Sequence, residues 1–124
     1  MTRLTLYPGG RTVVAVQEPT FLILTALAAR PLHGYGIIQF VADLSDGEVR
    51  LRPGTLYGAL DRLDQQGLIA VDREEPVDGR LRRYYRLSDS GAAALTEEAE
   101  RLRRRVAVAD RQLVLRPAVS GGAA

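Results

Sequence analysis

Apolar residues recur with a helical period along most of the chain, and with a period of two over one short stretch. Phe21, Leu24, Leu27 and Ala28 follow Pro19 at helical spacing and stop at Pro31, which predicts a first helix over about 19–30. Its narrow polar content predicts deep burial. After the Pro31-Leu32-His33-Gly34 break, Tyr35, Ile38, Val41 and Ala42 form the next set, ended by Ser45-Asp46-Gly47, so a second helix is expected over about 34–44. Glu48 to Leu51 alternates as a short strand would, with Val49 and Leu51 against Glu48 and Arg50. A third helix follows over about 53–66. Pro53 suits its first turn, Leu56, Leu60 and Leu63 make its buried stripe, and Gly67 is placed to close its C-terminus in a left-handed conformation.

The period then changes from 3.6 to 2. Leu68 to Arg73 and Leu81 to Leu87 read as two strands, and the Asp78-Gly79 pair between them is a hairpin-turn signal. On the second strand, Leu81, Arg83, Tyr85 and Leu87 share one face, expected to pack on the core with Arg83 near its rim; Arg82, Tyr84 and Arg86 share the other. Ser88 or Asp89 can cap a last helix over about 89–114. Its apolar residues Leu95, Ala99, Leu102, Val106, Ala109 and Leu113 step by four and three in alternation, the spacing of a heptad seam. Before the first helix, Pro8, Gly9 and Gly10 and a short Val13-Val14-Ala15-Val16 run suggest a loose arm with one brief strand.

Three helices followed by a hairpin is the order of a winged helix-turn-helix. The expected fold is therefore mainly α with a small β-hairpin, a winged helix-turn-helix plus a C-terminal dimerisation helix. The chain divides into a flexible arm over 1–17, the winged domain over 18–88, the dimerisation helix over 89–115 and a disordered tail over 116–124. A seam of almost three heptads exceeds what a 70-residue winged domain can bury, so the last helix should meet a second copy, fold back on the first helix, or do both in a twofold dimer.

Composition narrows the chemistry. At 124 residues, 46% hydrophobic, the chain can bury one core and is too short for two ordinary domains. With no cysteine and one histidine, His33, it offers no disulfide framework, no cysteine zinc site and no conventional catalytic triad. No catalytic residues, metal site or cofactor are expected. The adjacent pairs Glu74-Glu75 and Glu97-Glu98 look exposed by pattern and receive no acid-base role. The longest apolar stretch, Phe21 to Ala29, is too short to cross a bilayer, and Glu18 and Pro19 interrupt a signal-peptide reading, so a cytoplasmic location without membrane contact is expected.

Net charge is only +2, yet all 17 basic residues are arginine and they cluster: four lie between Arg80 and Arg86 and four between Arg101 and Arg105. A nearly neutral chain can thus present a basic face. In a winged helix-turn-helix the third helix enters the major groove and the hairpin touches phosphates or the adjacent minor groove. With its leucines inward, the third helix turns out Thr55, Gly58, Arg62 and Gln65, where Arg62 suits guanine, Gln65 suits adenine and Gly58 lets the backbone approach. On the hairpin, Arg80 and Arg82 are the expected phosphate contacts, while Arg83 or Arg86 should pair across the hairpin with Glu74, Glu75 or Asp78.

Four blocks in order, Pro31-Leu32-His33-Gly34-Tyr35-Gly36, Pro53-Gly54-Thr55-Leu56-Tyr57-Gly58-Ala59-Leu60-Asp61-Arg62-Leu63, Gly67-Leu68-Ile69 and Arg82-Arg83-Tyr84-Tyr85-Arg86-Leu87-Ser88 with Gly91, resemble the PadR family of bacterial transcriptional regulators over about 19–105. The likeness is to its short subgroup, with a single C-terminal helix. It implies a winged-helix repressor, a homodimer through that helix, bound to a palindromic site on double-stranded DNA and released by a small-molecule effector. It also implies that Tyr35 supports packing of the second and third helices, that Thr55 and Tyr57 lie at the DNA-facing start of the third, and that Arg82 sits on the wing. Some short members hold flat aromatic ligands between tryptophans; this chain has none, so no ligand residues are carried over.

His33 is read as a local cap on the second helix rather than a proton switch or metal ligand. The competing function is a winged-helix protein-protein interaction module without DNA binding. That would more often expose apolar residues where Thr55, Arg62 and Gln65 stand.

Overall fold

The computed structural model describes residues 4–6, 12–14 and 18–119. Two short strands, β1 (Leu4–Leu6) and β2 (Thr12–Val14), pair antiparallel; the rest of the arm, with Ala15 and Val16 of the expected strand, and tail residues 120–124 lie outside the described residues. The domain proper runs α1 (Glu18–Leu27), β3 (Leu32–His33), α2 (Gly34–Leu44), α3 (Pro53–Gln65), β4 (Ile69–Val77), β5 (Arg80–Leu87) and α4 (Asp89–Leu115). This is a mainly helical winged helix-turn-helix with a small antiparallel sheet in the order β3-β5-β4.

One core joins the elements. Ile23, Leu24 and Leu27 of α1, Ile37 and Val41 of α2, and Leu56, Leu60 and Leu63 of α3 are buried, and Ile69 and Tyr85 close the cluster from the sheet. Full burial of a large aliphatic side chain stabilises by about 1.5–3 kcal/mol relative to exposure, so these residues set the mutual placement of the three helices.

The helix ends follow their local chemistry. Gly67 closes α3 with a φ of +75°: its N–H donates to Asp64 and the next N–H, from Leu68, reaches back to Leu63, the Schellman pattern that glycine permits. Ser88 caps α4 by accepting from the N–H of Gly91 at 3.0 Å, and its hydroxyl donates to the Gly67 carbonyl at 2.6 Å. One side chain thus ties the end of the hairpin, the start of α4 and the corner after α3. Gly91 lets α4 approach that corner, since a β-carbon there would stand 1.9 Å from the Leu68 carbonyl oxygen.

Two expected elements differ. The first helix stops at Leu27, with the Ala28 N–H donating only three residues back to Thr25. Pro31 disfavours helical geometry at Arg30, and the chain must turn early to bring Leu32 and His33 beside Tyr85 and Tyr84. Residues 48–51 form no strand. Leu51 is buried as the alternation implied, but the Ser45 hydroxyl holds the segment, donating to Val41 at 2.8 Å and accepting from the Val49 N–H at 2.9 Å. The third strand of the sheet is Leu32–His33, which occupies the edge of β5.

The hairpin is longer than the core is deep. Asp78 and Gly79 both take positive φ, 49° and 77°, so a two-residue turn joins strands of nine and eight residues. Tyr85 and Leu87 pack inward, but Leu81, expected on the core face, is 68% exposed because that end projects past the helices. A bulge at Asp72 shifts the pairing from Val71 opposite Tyr85 to Arg73 opposite Tyr84.

Along α4, the first half lies against α1 and β5 and the second half carries the heptad seam away from the core. Glu98, expected to be exposed, is buried and ion-paired with Arg101 one turn later. It stands three residues after Leu95 and so shares the covered face, where a carboxylate requires a partner.

Candidate nucleic-acid interface

A cleft of about 890 Å³ separates the wing from the start of α2 and the exposed side of α3. Tyr57 and Asp61 line it from α3, Gly34 and Tyr35 from α2, and Glu74, Arg80, Arg82 and Arg83 from the hairpin. Thr55, Arg62 and Gln65 are exposed on α3 outside the cleft lining, with Gly58 half-buried among them. Of the residues expected to meet DNA, the fold therefore brings Tyr57, Arg80 and Arg82 to the cleft and leaves Thr55, Gly58, Arg62 and Gln65 on the adjoining face of the same helix.

Position on α3 follows from helical arithmetic. Leu56, Ala59, Leu60 and Leu63 are buried, so the residues about half a turn away must face outward. The stripe opposite comprises Gly54, Gly58, Asp61 and Gln65, with Thr55 and Arg62 on one flank and Tyr57 on the other. A β-carbon on Gly54 would touch nothing, and one on Gly58 would meet only the Arg62 guanidinium at 3.7 Å. The helix thus exposes bare backbone over its first turns, with Arg62 lying back along it.

Tyr57 has a structural task as well. Its ring lies against Gly34, where a β-carbon would come within 2.5 Å of the phenolic oxygen. The resemblance assigned the packing of α2 and α3 to Tyr35, but Tyr35 is 70% exposed and Tyr57 makes that contact. The absence of a side chain at Gly34 is the physical reason, since it opens a seat for the Tyr57 ring opposite.

The wing is braced from its outer face. His33 meets Tyr84 edge-on at 5.2 Å, the Arg73 guanidinium sits 3.9 Å from the centre of the Tyr84 ring, and Arg73 hydrogen-bonds Glu75 at 2.8 Å. The bond to Glu75, then that to Asp72, raises the pKa of Arg73; the same bond from Arg73 holds Glu75 below its usual range. His33 caps α2, accepting from the Gly36 N–H through Nδ1 at 3.1 Å, so its function in the fold requires the neutral ring. Burial lowers its pKa, Arg82 lowers it further and Glu75 opposes them.

The arginines of the wing are not equivalent. Arg83 pairs across the strands with Glu74 at 3.2 Å, as the alternation implied, and its pKa is raised first by hydrogen bonding with Tyr85 and then by Glu74. Arg80 and Arg82 form no ion pair with any described residue. Asp61, Glu74 and Asp78 stand among the lining arginines, so the cleft is of mixed charge and its available cations are those at the tip. Tyr35, Asp61 and Glu74 were missed as cleft residues. Asp61 was within reach of sequence reasoning, lying three residues after Gly58 and four before Gln65; Tyr35 and Glu74 join the cleft only through tertiary packing.

A buried three-helix core, an exposed third helix and a braced hairpin beside it define a winged helix-turn-helix protein. A model of the transcriptional regulator PadR-like family matches residues 23–97. The chain belongs to this family, whose members are transcriptional regulators and not enzymes. It is 44% identical over 80 residues to transcriptional regulator Rv3488 of Mycobacterium tuberculosis, covering 64% of this chain and 71% of that protein. A PadR family transcription regulator from Clostridium difficile R20291 superposes with a TM-score of 0.65 at 26% identity, covering 78% of this chain and 99% of that one. Bacillus subtilis PadR, crystallised with operator DNA, shares the fold with a TM-score of 0.59 at 23% identity, over 65% of this chain and 47% of that one.

Proposed function

We propose that this chain is a cytoplasmic repressor that binds a palindromic promoter site on double-stranded DNA as a homodimer and is released by a small-molecule effector. The observation that carries the DNA reading is the exposed face of α3 beside a stiff wing whose tip arginines, Arg80 and Arg82, form no ion pair with any described residue. α3 enters the major groove, where Thr55, Tyr57, Gly58, Arg62 and Gln65 meet base edges or the backbone, and Arg80 and Arg82 meet phosphates. Bacillus subtilis PadR in its operator complex is a protein of this fold and family, which supports the same partner here.

The dimer reading rests on α4. Leu102, Val106 and Leu113 are 37%, 59% and 64% exposed in a single chain, while Leu95 and Ala99 nearer the core are half-buried. An apolar seam of this length in water favours pairing with its own copy, and a twofold dimer would place two α3 helices roughly 34 to 36 Å apart, one turn of duplex. Residues 18–88 then form the reading domain and 89–115 the dimerisation helix. An effector would act by binding more tightly to a dimer whose α3 spacing does not fit the duplex.

The test is binding to duplex from the protein's own upstream region across a salt series. Arg80→Ala and Arg82→Ala should weaken binding to all sequences and flatten the salt slope by about one unit for each phosphate no longer neutralised. Arg62→Ala should relax preference at one base position by about 1–3 kcal/mol. Parent-like binding by all three variants would overturn the assignment.

A further inference from the structure

We propose that Asp61 is a specificity-determining residue that selects cytosine at one position of each half-site; this rests on the DNA reading of α3. Asp61 is exposed, lines the cleft, and stands on the outward stripe whose neighbours Gly54 and Gly58 carry no side chain. It forms no hydrogen bond or ion pair with any described residue, although Arg62 is adjacent and Arg83 borders the same cleft. An ionised carboxylate only accepts hydrogen bonds. Brought toward a polyanion, it is repelled unless a donor answers it.

In the major groove two base groups donate, the cytosine N4 amino group and the adenine N6 amino group. Adenine presents its N7 acceptor beside that donor, and guanine and thymine offer acceptors there. A lone carboxylate therefore matches cytosine and opposes the other bases. The short aspartate stem limits its reach to the base pair directly under this turn of the helix. Specificity here comes partly from repulsion of wrong sequences, at some cost in overall affinity.

The experiment is selection of bound duplexes from a random library by the full chain and by Asp61→Ala and Asp61→Asn, with melting curves verifying that each variant is folded. The parent should enrich sites with cytosine at one position of each half-site. Asp61→Ala should bind sites that lack the cytosine more tightly than the parent does and lose the preference, about tenfold, with the other positions unchanged. Asp61→Asn, which both donates and accepts, should move the preference toward adenine. Retention of the cytosine preference by Asp61→Ala, or its absence from parent sites, would overturn the role of Asp61. Enrichment of no sequence by the parent would instead overturn the DNA reading on which it rests.

Discussion

α3 and α4 carry the same sequence signal and meet opposite fates. Each presents a leucine-rich stripe at helical spacing. In α3 the stripe disappears into the core, with Leu56 and Leu60 at 0% and 1% exposure, whereas in α4 Val106 and Leu113 remain more than half exposed. A stripe is buried only where other apolar surface lies within reach. α3 is flanked by α2 and the base of the hairpin, while α4 outruns the domain after its first turns. Periodicity therefore shows which face seeks cover, and chain length relative to the core decides whether the cover comes from within.

The largest effect should come from the buried stripe. Leu60→Ala removes most of a fully buried side chain and should cost about 2–5 kcal/mol in denaturant unfolding. A loss below about 1 kcal/mol would show that α3 is not held by the core as described. In α4, Leu102→Ala combined with Val106→Ala should change the stability of dilute, monomeric chain little, about 0.5 kcal/mol or less per site. In a paired seam, the same double substitution should abolish the rise of melting temperature with protein concentration and yield a monomer in sedimentation. A parent that sediments as a monomer at micromolar concentration would remove the dimer and leave the exposed stripe unexplained.

The smallest effect concerns the start of α2. The folded-state pKa of His33 is lowered, so the folded protein favours the neutral ring and binds fewer protons there than the unfolded chain. Stability from this cap is present above the ordinary imidazole pKa and lost as pH falls through the lowered one. The unfolding midpoint should decline as pH falls below the ordinary imidazole value of about 6.5. His33→Asn, a cap that accepts at any pH, should flatten that decline. An equal decline in the variant would place the titrating group elsewhere.

Local chemistry was legible wherever neighbours in sequence determine the outcome. The Gly67 cap, the Ser88 cap, the His33 cap and the Asp78-Gly79 turn each depend on residues within a few positions of one another, and each forms as the sequence implied. The motif blocks likewise carried the family. Other outcomes were decided where distant segments meet. Leu32–His33, and not 48–51, pairs with β5 as the third strand. Glu98 was drawn under cover by the face it shares with Leu95.

By itself the sequence determined the number and order of helices, the hairpin, the inward stripe of α3 and the concentration of arginine on the wing, since these follow from periodicity, turn geometry and residue type. Only the tertiary structure decided which wing arginines are paired with acids, that Tyr57 of α3 rather than Tyr35 of α2 makes the contact between those helices, and that Asp61 faces the cleft beside Tyr57. Those outcomes depend on distances between elements remote in the chain, which the core sets through packing and which local propensity does not encode.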